Sequence, residues 1–274
     1  KDMAEYFGAK ARLVELVAPD GTLVVNRDDP AWEKLETGGR LLRTFALDAE
    51  ADVRAEAIRL GPRGSKFTLV IDESRREVRL PLLARFNIEN ALAAAAVGAA
   101  AGLTIDEIAA GLDTVPQVSG RLETLMTEPF SVLIDFAHTP DALDGALSAV
   151  RPLTTGRLIV VFGAGGDRDV AKRRPMAQAV ARAADVIVLT SDNPRTEDPE
   201  RILDDLAEGL AEGAYERFAD RRAAIRFALE TAEAGDTVLL AGKGHERYQE
   251  LGTEAVPFDE RVVVRECLEE LGVA

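Results

Sequence analysis

Four short, largely apolar runs in the second half of the chain constrain its fold more than any other feature. They cover residues 132–134, 158–162, 186–190 and 237–240. Runs of this kind are typical of strands that are buried on both faces of a parallel sheet. Helix-like segments at residues 142–150, 175–184, 199–209 and 221–232 lie between them. This alternation predicts the α/β fold class, with a doubly wound, Rossmann-like parallel sheet.

The first part of the chain has a different pattern, in which Gly, Pro and Asp turns separate short strand-like runs. This pattern predicts part of a mixed sheet. The runs cover residues 22–26, 41–47, 53–60, 66–71 and 77–80. We expect helices over residues 3–17 and 87–101, and a third that begins at Thr104 with Glu107 in the capping-box position. A boundary near residues 117–121 then gives two domains, over residues 1–120 and 121–274.

The composition excludes several classes of protein. The chain has 274 residues, of which 47% are hydrophobic and 30% charged, as in ordinary globular proteins of one or two domains. A net charge of −15 argues against nucleic acid or an anionic membrane as a partner. Cys267 is the only cysteine, so no intrachain disulfide is possible. With no signal peptide and no apolar run long enough to span a bilayer, we expect a cytoplasmic protein, by default a monomer.

A polar cluster follows each of the four apolar runs directly. The clusters cover residues 135–141, 163–169, 191–195 and 242–246, and they include both histidines of the chain, His138 and His245. In open α/β sheets, ligands bind beyond the carboxyl ends of the strands. One such cluster is commonly just a turn, but four at the same predicted edge indicate a small-molecule site.

The glycine-rich second cluster does not match a dinucleotide fingerprint. It holds Gly163, Gly165 and Gly166, but Arg168 stands where G-x-G-x-x-G has its third glycine. Backbone N–H groups and guanidinium groups in such a turn suit an anion. The alternative is a tight turn before a solvated, basic helix start. No G-x-x-x-x-G-K-[ST] motif occurs in the chain, so this sequence alone does not complete a nucleoside triphosphate site.

Lys10 interrupts the apolar stripe of the first predicted helix. A lysine at a helix edge commonly lays its aliphatic stem on apolar surface and keeps its ammonium in water. A buried lysine would instead have a depressed pKa. Its neutral amine could then react with carbon dioxide to give a carbamate that ligates Mg²⁺. The residue pattern leaves both interpretations open.

Taken together, these motifs resemble the Mur ligases over essentially the whole chain. The A-K-x-x-L segment around Lys10 and the D-N-P-R segment at residues 192–195 are two examples. The other matching segments are R-F-N-I-E-N-A-L-A-A at 85–94, G-R-L-E at 120–123, D-F-A-H-T-P-D at 135–141, G-D-R-D at 166–169 and G-K-G-H-E at 242–246. D-N-P-R and G-K-G-H-E, at their relative spacing, are highly specific for the ligase step that extends UDP-N-acetylmuramoyl-dipeptide.

The resemblance implies an ATP-dependent ligase of peptidoglycan precursor synthesis, with Mg²⁺ as cofactor. ATP would phosphorylate the D-glutamate carboxylate of UDP-N-acetylmuramoyl-L-alanyl-D-glutamate. The amine of meso-diaminopimelate would then attack the acyl phosphate through a tetrahedral intermediate. Metal and basic groups would neutralise the phosphates as charge moves.

The resemblance also implies roles for individual residues. Asn90 would contact adenine, Arg121 and Asp135 would lie at the ribose and phosphates, and His138 would lie near the γ-phosphate. Lys10, as a carbamate, would hold Mg²⁺, so that Lys10 and His138 are the catalytic candidates. The incoming amino acid would be bound by Arg168, Asp192, Asn193, Arg195, Gly242 and Glu246. The Arg195 guanidinium would take the distal carboxylate of meso-diaminopimelate, an arginine that lysine-adding relatives usually lack.

Two departures from the family pattern are small: Ala84 replaces a usual glycine and Phe136 a commoner tyrosine. A larger one is that family members begin with a UDP-sugar-binding domain and a Walker A loop. We therefore expect this chain to hold the latter part of the central ATPase domain and the amino-acid domain, and to be inactive alone. The alternatives are a binding-only module for an amino acid or nucleotide, and a Mur ligase that uses lysine or ornithine. A folylpolyglutamate or cyanophycin type of ligase is disfavoured by residues 192–195 and 242–246.

Overall fold

A computed structural model describes residues 2–273 of the chain. The chain divides into two compact units, Lys1–Pro116 and Gln117–Ala274, which we call unit 1 and unit 2. The assignment of residues 1–120 and 121–274 to two functional domains remains a prediction.

Unit 1 is a mixed five-stranded sheet with helices. Its helices are α1 (Met3–Ala11), α2 (Leu13–Leu16), α3 (Arg85–Ala100) and α4 (Ile105–Asp113). Its strands are β1 (Thr22–Asn26), β2 (Leu41–Ala46), β3 (Val53–Gly61), β4 (Gly64–Ile71) and β5 (Ser74–Leu80), in that spatial order. The first three are parallel to one another, and the last three form antiparallel pairs. The mixed sheet expected from the turn-rich pattern is therefore confirmed.

In unit 1, the sequence predicts local structure correctly where the backbone geometry depends on a few neighbouring residues. Thr104 caps α4 and Glu107 bonds back to it, which confirms the predicted capping box. The single helix predicted over residues 3–17 is wrong, because α1 ends at Ala11 and α2 is separate. No residue of α1 is buried, so packing does not stabilise a longer helix there.

Unit 2 carries the predicted parallel sheet. Its strands are β6 (Glu123–Met126), β7 (Ser131–Asp135), β8 (Leu158–Phe162), β9 (Val186–Thr190), β10 (Glu216–Phe218) and β11 (Thr237–Ala241). Their spatial order is β10-β9-β8-β11-β7-β6, with all pairs parallel except β6 with β7. A separate antiparallel hairpin consists of β12 (Tyr248–Leu251) and β13 (Glu254–Pro257).

Helices cover this sheet in two groups. Its helices are α5 (Pro140–Val150), α6 (Arg173–Ala181), α7 (Pro199–Ala207), α8 (Arg221–Thr231) and α9 (Glu260–Leu271). Neighbouring helices pack as α5 with α6 and α6 with α7, while α8 packs with α9. Alternate strand residues such as Val132, Val161 and Leu240 pack against the α8–α9 group. The doubly wound α/β prediction is confirmed.

The pattern missed three-residue and four-residue strands and one long helix in unit 2. They are β6, the three-residue β10, the β12–β13 hairpin and α9. Strand β13 is exposed along its whole length, so no apolar alternation marks it in the sequence. Within residues 2–273, no helix combines the length and the apolar character needed to cross a bilayer.

Candidate functional site

The four polar clusters meet at one edge of the unit 2 sheet. The parallel pairing places Ala241 opposite Asp135 and Phe162 opposite Leu189, so the carboxyl ends of β7, β8, β9 and β11 lie side by side. A cavity of about 360 Å³ lies among the loops that follow these strands. Its lining residues are Phe136, His138, Gly165, Arg168, Asp169, Lys172, Asp192, Asn193, Arg195, Gly242 and Glu246. All six residues assigned to the amino acid line this cavity.

Glycines allow the second and third clusters to pack backbone against backbone. A Cβ on Gly163 would lie 2.1 Å from the carbonyl oxygen of Thr190, and one on Gly166 would lie 1.9 Å from that of Pro194. Contacts this short exclude any side chain. The Gly166 N–H also donates to the Asn193 carbonyl at 2.9 Å. The glycine-rich turn therefore sets the distance between two walls of the cavity.

The Asp192 carboxylate is a buried, incompletely paired group among the lining residues of the cavity. The residue is only 8% exposed, and its Oδ2 is buried without a hydrogen-bond partner. Gly242 has φ +119°, and a Cβ there would lie 2.6 Å from that same oxygen. A buried carboxylate oxygen without a donor is costly, so a hydrogen-bond donor at this atom would be stabilising.

The fully buried Lys243 holds two of the residues that line the cavity in place. Lys243 Nζ donates to Asn193 Oδ1 and to Glu246 Oε2, both at 3.0 Å. Asn193 Nδ2 also donates to Glu246 Oε2, at 2.9 Å. Gly242 and Gly244, on either side of the lysine, both have positive φ, a conformation that favours glycine. The G-K-G sequence thus turns Lys243 inward, and the lysine fixes the orientations of Asn193 and Glu246.

Arg195 brings a guanidinium into the same cavity from a strained backbone. Its φ is +54°, which is uncommon for a residue with a side chain. Nη1 donates to the Gly166 carbonyl at 2.9 Å. Nε lies 2.6 Å from Glu250 Oε2, an ion pair whose angles fall short of a hydrogen bond. Nη2 makes neither a hydrogen bond nor an ion pair within residues 2–273, so it is available to an anionic ligand.

Two further cations lie at the glycine-rich loop. Burial lowers the pKa of the Lys172 amine, against the opposing effect of the Asp192 carboxylate, and its Nζ donates to the His138 carbonyl at 3.0 Å. Arg168 is exposed at the rim. Asp192 and Glu246 together with Arg195 and Lys172 give the cavity both signs of charge. Such a lining is complementary to a zwitterion.

Three of the residues assigned to the nucleotide, Arg121, Asp135 and His138, lie in unit 2, and of these only His138 lines the cavity. Asp135 is buried, and its carboxylate accepts the backbone N–H groups of Leu122 and Ala137, both at 2.8 Å. Burial raises the pKa of Asp135, although these hydrogen bonds oppose the shift. The Arg121 guanidinium lies 5.2 Å from the Phe136 ring centre, in a cation–π contact. These groups hold the loops at the start of unit 2.

Two site predictions fall in unit 1. Lys10 is exposed on α1, with its Nζ 5.5 Å from the Tyr6 ring centre, and its role as a carbamate stays a prediction. Asn90 is exposed on α3 and donates to Asn87 Oδ1 at 3.4 Å. Among residues 2–273, no three His, Cys, Asp or Glu side chains form a cluster that could hold a metal ion.

The sequence argument missed five residues at or beside the cavity: Phe136, Asp169, Lys172, Lys243 and Glu250. Four of them belong to or adjoin the polar clusters, so a signal for them was present. Glu250 gave none, because it lies on β12, a strand that the sequence pattern did not predict.

Two family models and several curated proteins match this chain. The family described as "Mur ligase, glutamate ligase domain" matches residues 120–244, and the "Mur ligase middle domain" matches residues 1–98. A UDP-N-acetylmuramoyl-L-alanyl-D-glutamate–2,6-diaminopimelate ligase of Thermosynechococcus vestitus is 44% identical over 98% of this chain and 56% of its own length. The ligase of that name from Streptomyces avermitilis is 44% identical over 98% of this chain and 55% of its own length. The chain thus spans about half the length of these curated relatives.

A solved structure of a ligase with that name covers 99% of this chain and 57% of its own, with a TM-score of 0.73 and 35% identity. The fold and the cavity define an α/β protein with a charged cavity at the carboxyl edge of a parallel sheet. The chain belongs to the Mur ligase family, whose members are ATP-dependent ligases that form C–N bonds.

Proposed function

We propose that this chain is the part of an ATP-dependent ligase that binds meso-diaminopimelate and adds it to UDP-N-acetylmuramoyl-L-alanyl-D-glutamate. The observation that carries the proposal is the pairing of two groups in one cavity: the unpartnered Asp192 Oδ2 and the Arg195 guanidinium. An amino acid with a second charged end offers an ammonium to the first and a carboxylate to the second. The relatives named above carry this activity in their names.

The fixed network around Lys243 suits a ligand amine. Glu246 Oε2 is occupied by Lys243 and Asn193, and the rest of the Glu246 carboxylate lines the cavity. In the proposed reaction, the amine attacks an acyl phosphate formed from ATP, the C–N bond forms, and phosphate leaves. The cavity residues orient the amine, and the loops exclude water from one side of it. His138, at the rim, would face the nucleotide.

Mg²⁺ is part of the proposal only as the usual companion of ATP. Asn90, Arg121 and Asp135 are proposed for ATP, and Lys10 as a carbamate for Mg²⁺. A cytoplasmic, monomeric enzyme is likewise a proposal.

The proposed function is tested by phosphate release. The full-length protein, given ATP, Mg²⁺ and UDP-N-acetylmuramoyl-L-alanyl-D-glutamate, should release phosphate only when meso-diaminopimelate is added. Product formation, measured by mass, should equal phosphate release. Equal turnover of lysine, ornithine and meso-diaminopimelate would contradict the choice of substrate. Binding without turnover would support a binding-only module instead.

Lys10 can be tested in the same assay. Lys10→Ala should lower the rate of phosphate release about 10- to 100-fold, the range seen when a metal site loses a supporting group. Formate or acetate should restore part of the rate if a carbamate is the active form. Lys34→Ala is the matched control, because Lys34 is also exposed and lines the same unit 1 cavity of about 390 Å³. An active Lys10→Ala variant would remove Lys10 from the catalytic candidates.

A further inference from the structure

We propose that Glu250 is a specificity-determining residue that competes with the distal carboxylate of the substrate for Arg195. The inference rests on the proposed function, because it takes Arg195 as the group that receives this carboxylate. It goes beyond that function in assigning a role to a residue outside the cavity lining, on a hairpin that the sequence pattern did not mark.

The position of Glu250 is fixed by the backbone around it. Its N–H donates to Asn193 Oδ1 and its carbonyl accepts the Arg195 N–H, both at 3.0 Å. Next to it, Gln249 Nε2 donates to the Asp192 carbonyl at 2.7 Å. Strand β12 is thus bound along the loop that contains Asp192 and Arg195. These contacts fix the Glu250 backbone beside Arg195, so that its carboxylate is within reach of the guanidinium.

The two charged groups meet where water has little access. Oε2 of Glu250 is buried, has no hydrogen bond, and lies 2.6 Å from Nε of Arg195. The side chains as a whole are 23% exposed for Arg195 and 35% for Glu250. Because Nη1 already donates to the Gly166 carbonyl, Glu250 occupies the Nε side of the guanidinium. A ligand carboxylate can therefore use only the remaining donors.

Two effects of Glu250 on binding oppose each other, and their sizes decide the prediction. The ion pair holds the guanidinium in place, which favours binding. Without the ion pair, the hydrogen bond to the Gly166 carbonyl and the fixed backbone of Arg195 would still hold the guanidinium in place. The carboxylate also neutralises Arg195 and repels a second carboxylate, and this repulsion is weakly screened beside a buried oxygen. We therefore expect Glu250 to weaken the binding of a dicarboxylic ligand.

The test is Glu250→Gln in the full-length protein, which removes the charge and keeps the shape. KM for meso-diaminopimelate in the phosphate-release assay should fall about three- to tenfold, the size of a partly exposed ion pair. The inhibition constant of L-lysine, which lacks a distal carboxylate, should not change. In an Arg195→Ala background, Glu250→Gln should lower KM for meso-diaminopimelate less than it does in the wild-type enzyme, because competition for the guanidinium is gone and only the direct repulsion between carboxylates remains.

The outcomes separate this inference from the proposed function. A KM for meso-diaminopimelate that rises or stays the same in Glu250→Gln overturns the competition, even if the wild-type enzyme is active. An equal fall in the lysine inhibition constant also overturns it, because the effect would not depend on the distal carboxylate. A wild-type protein that uses no diamino acid overturns the proposed function, and this inference with it.

Discussion

Replacing Arg221 by methionine should lower the free energy of unfolding of unit 2 by about 3–5 kcal/mol, the cost of breaking a buried ion pair. Arg221 and Glu260 are both fully buried, and their Nη2 and Oε1 atoms lie 2.7 Å apart. Arg221 also donates to the carbonyls of Ser191 at 3.2 Å and Ala241 at 3.0 Å. Methionine would leave the Glu260 carboxylate and two carbonyls buried without this partner.

Hydrogen exchange of the β8 and β11 amides measures this loss for unit 2 alone, because these strands lie in its core. Arg222→Met is the matched control. Arg222 is the next residue of α8, and its pairs with Glu266 and Glu270 are exposed, so the loss should be at most about 1 kcal/mol. Equal losses in the two variants would show that the buried ion pair stabilises unit 2 no more than the exposed pairs of Arg222 do.

A double variant separates the effect of Arg221 on the stability of unit 2 from its effect on ligand binding. Arg221→Met with Glu260→Leu removes both charges, and such replacements of buried pairs are often neutral for stability. The carbonyls of Ser191 and Ala241 would still lack their donor, and these residues directly precede Asp192 and Gly242 in the cavity. The double variant should therefore regain stability, while its KM for meso-diaminopimelate should be higher than that of the wild-type enzyme.

Much of unit 2 could be predicted because its signals are local. A buried strand shows as an apolar run, and parallel pairing brings the residues after each run to one edge. Asp192 and Gly242 were therefore placed in one site although they are distant in sequence, and the cavity contains both. The Thr104 cap depends on two residues three apart, which is why it was also predicted.

What the sequence did not reveal depends on distant contacts. Glu250 reaches Arg195 only because β12 pairs along the loop after β9, and nothing in the β12 sequence specifies this pairing. The inward direction of Lys243 depends on positive φ at the glycines beside it. Ala84 differs in a further way. It was judged a mild replacement for glycine, but its φ of +74° and full burial place it where glycine is favoured, at a cost of about 1–3 kcal/mol.

Arg195→Ala in the full-length protein should lose about 2–5 kcal/mol of binding to meso-diaminopimelate, because a carboxylate in the cavity would lack its charged partner. That loss corresponds to about a 30-fold or greater fall in kcat/KM. Discrimination between meso-diaminopimelate and lysine should fall by a similar factor, since lysine has no distal carboxylate. Alanine keeps a side chain at φ +54°, so the backbone strain at this position should change little.

Arg195→Lys tests whether charge alone is sufficient. A lysine retains the positive charge but cannot offer the planar fork that fits a carboxylate, so it should restore only part of the affinity. Arg182→Ala provides the control for a lost surface arginine, because Arg182 pairs with Asp144 on exposed helices and should leave KM unchanged. If Arg195→Ala kept the wild-type preference for meso-diaminopimelate, the distal carboxylate would have to be bound by another cation of the cavity. Lys172, half-buried and 3.0 Å from the His138 carbonyl, would then be the first residue to replace.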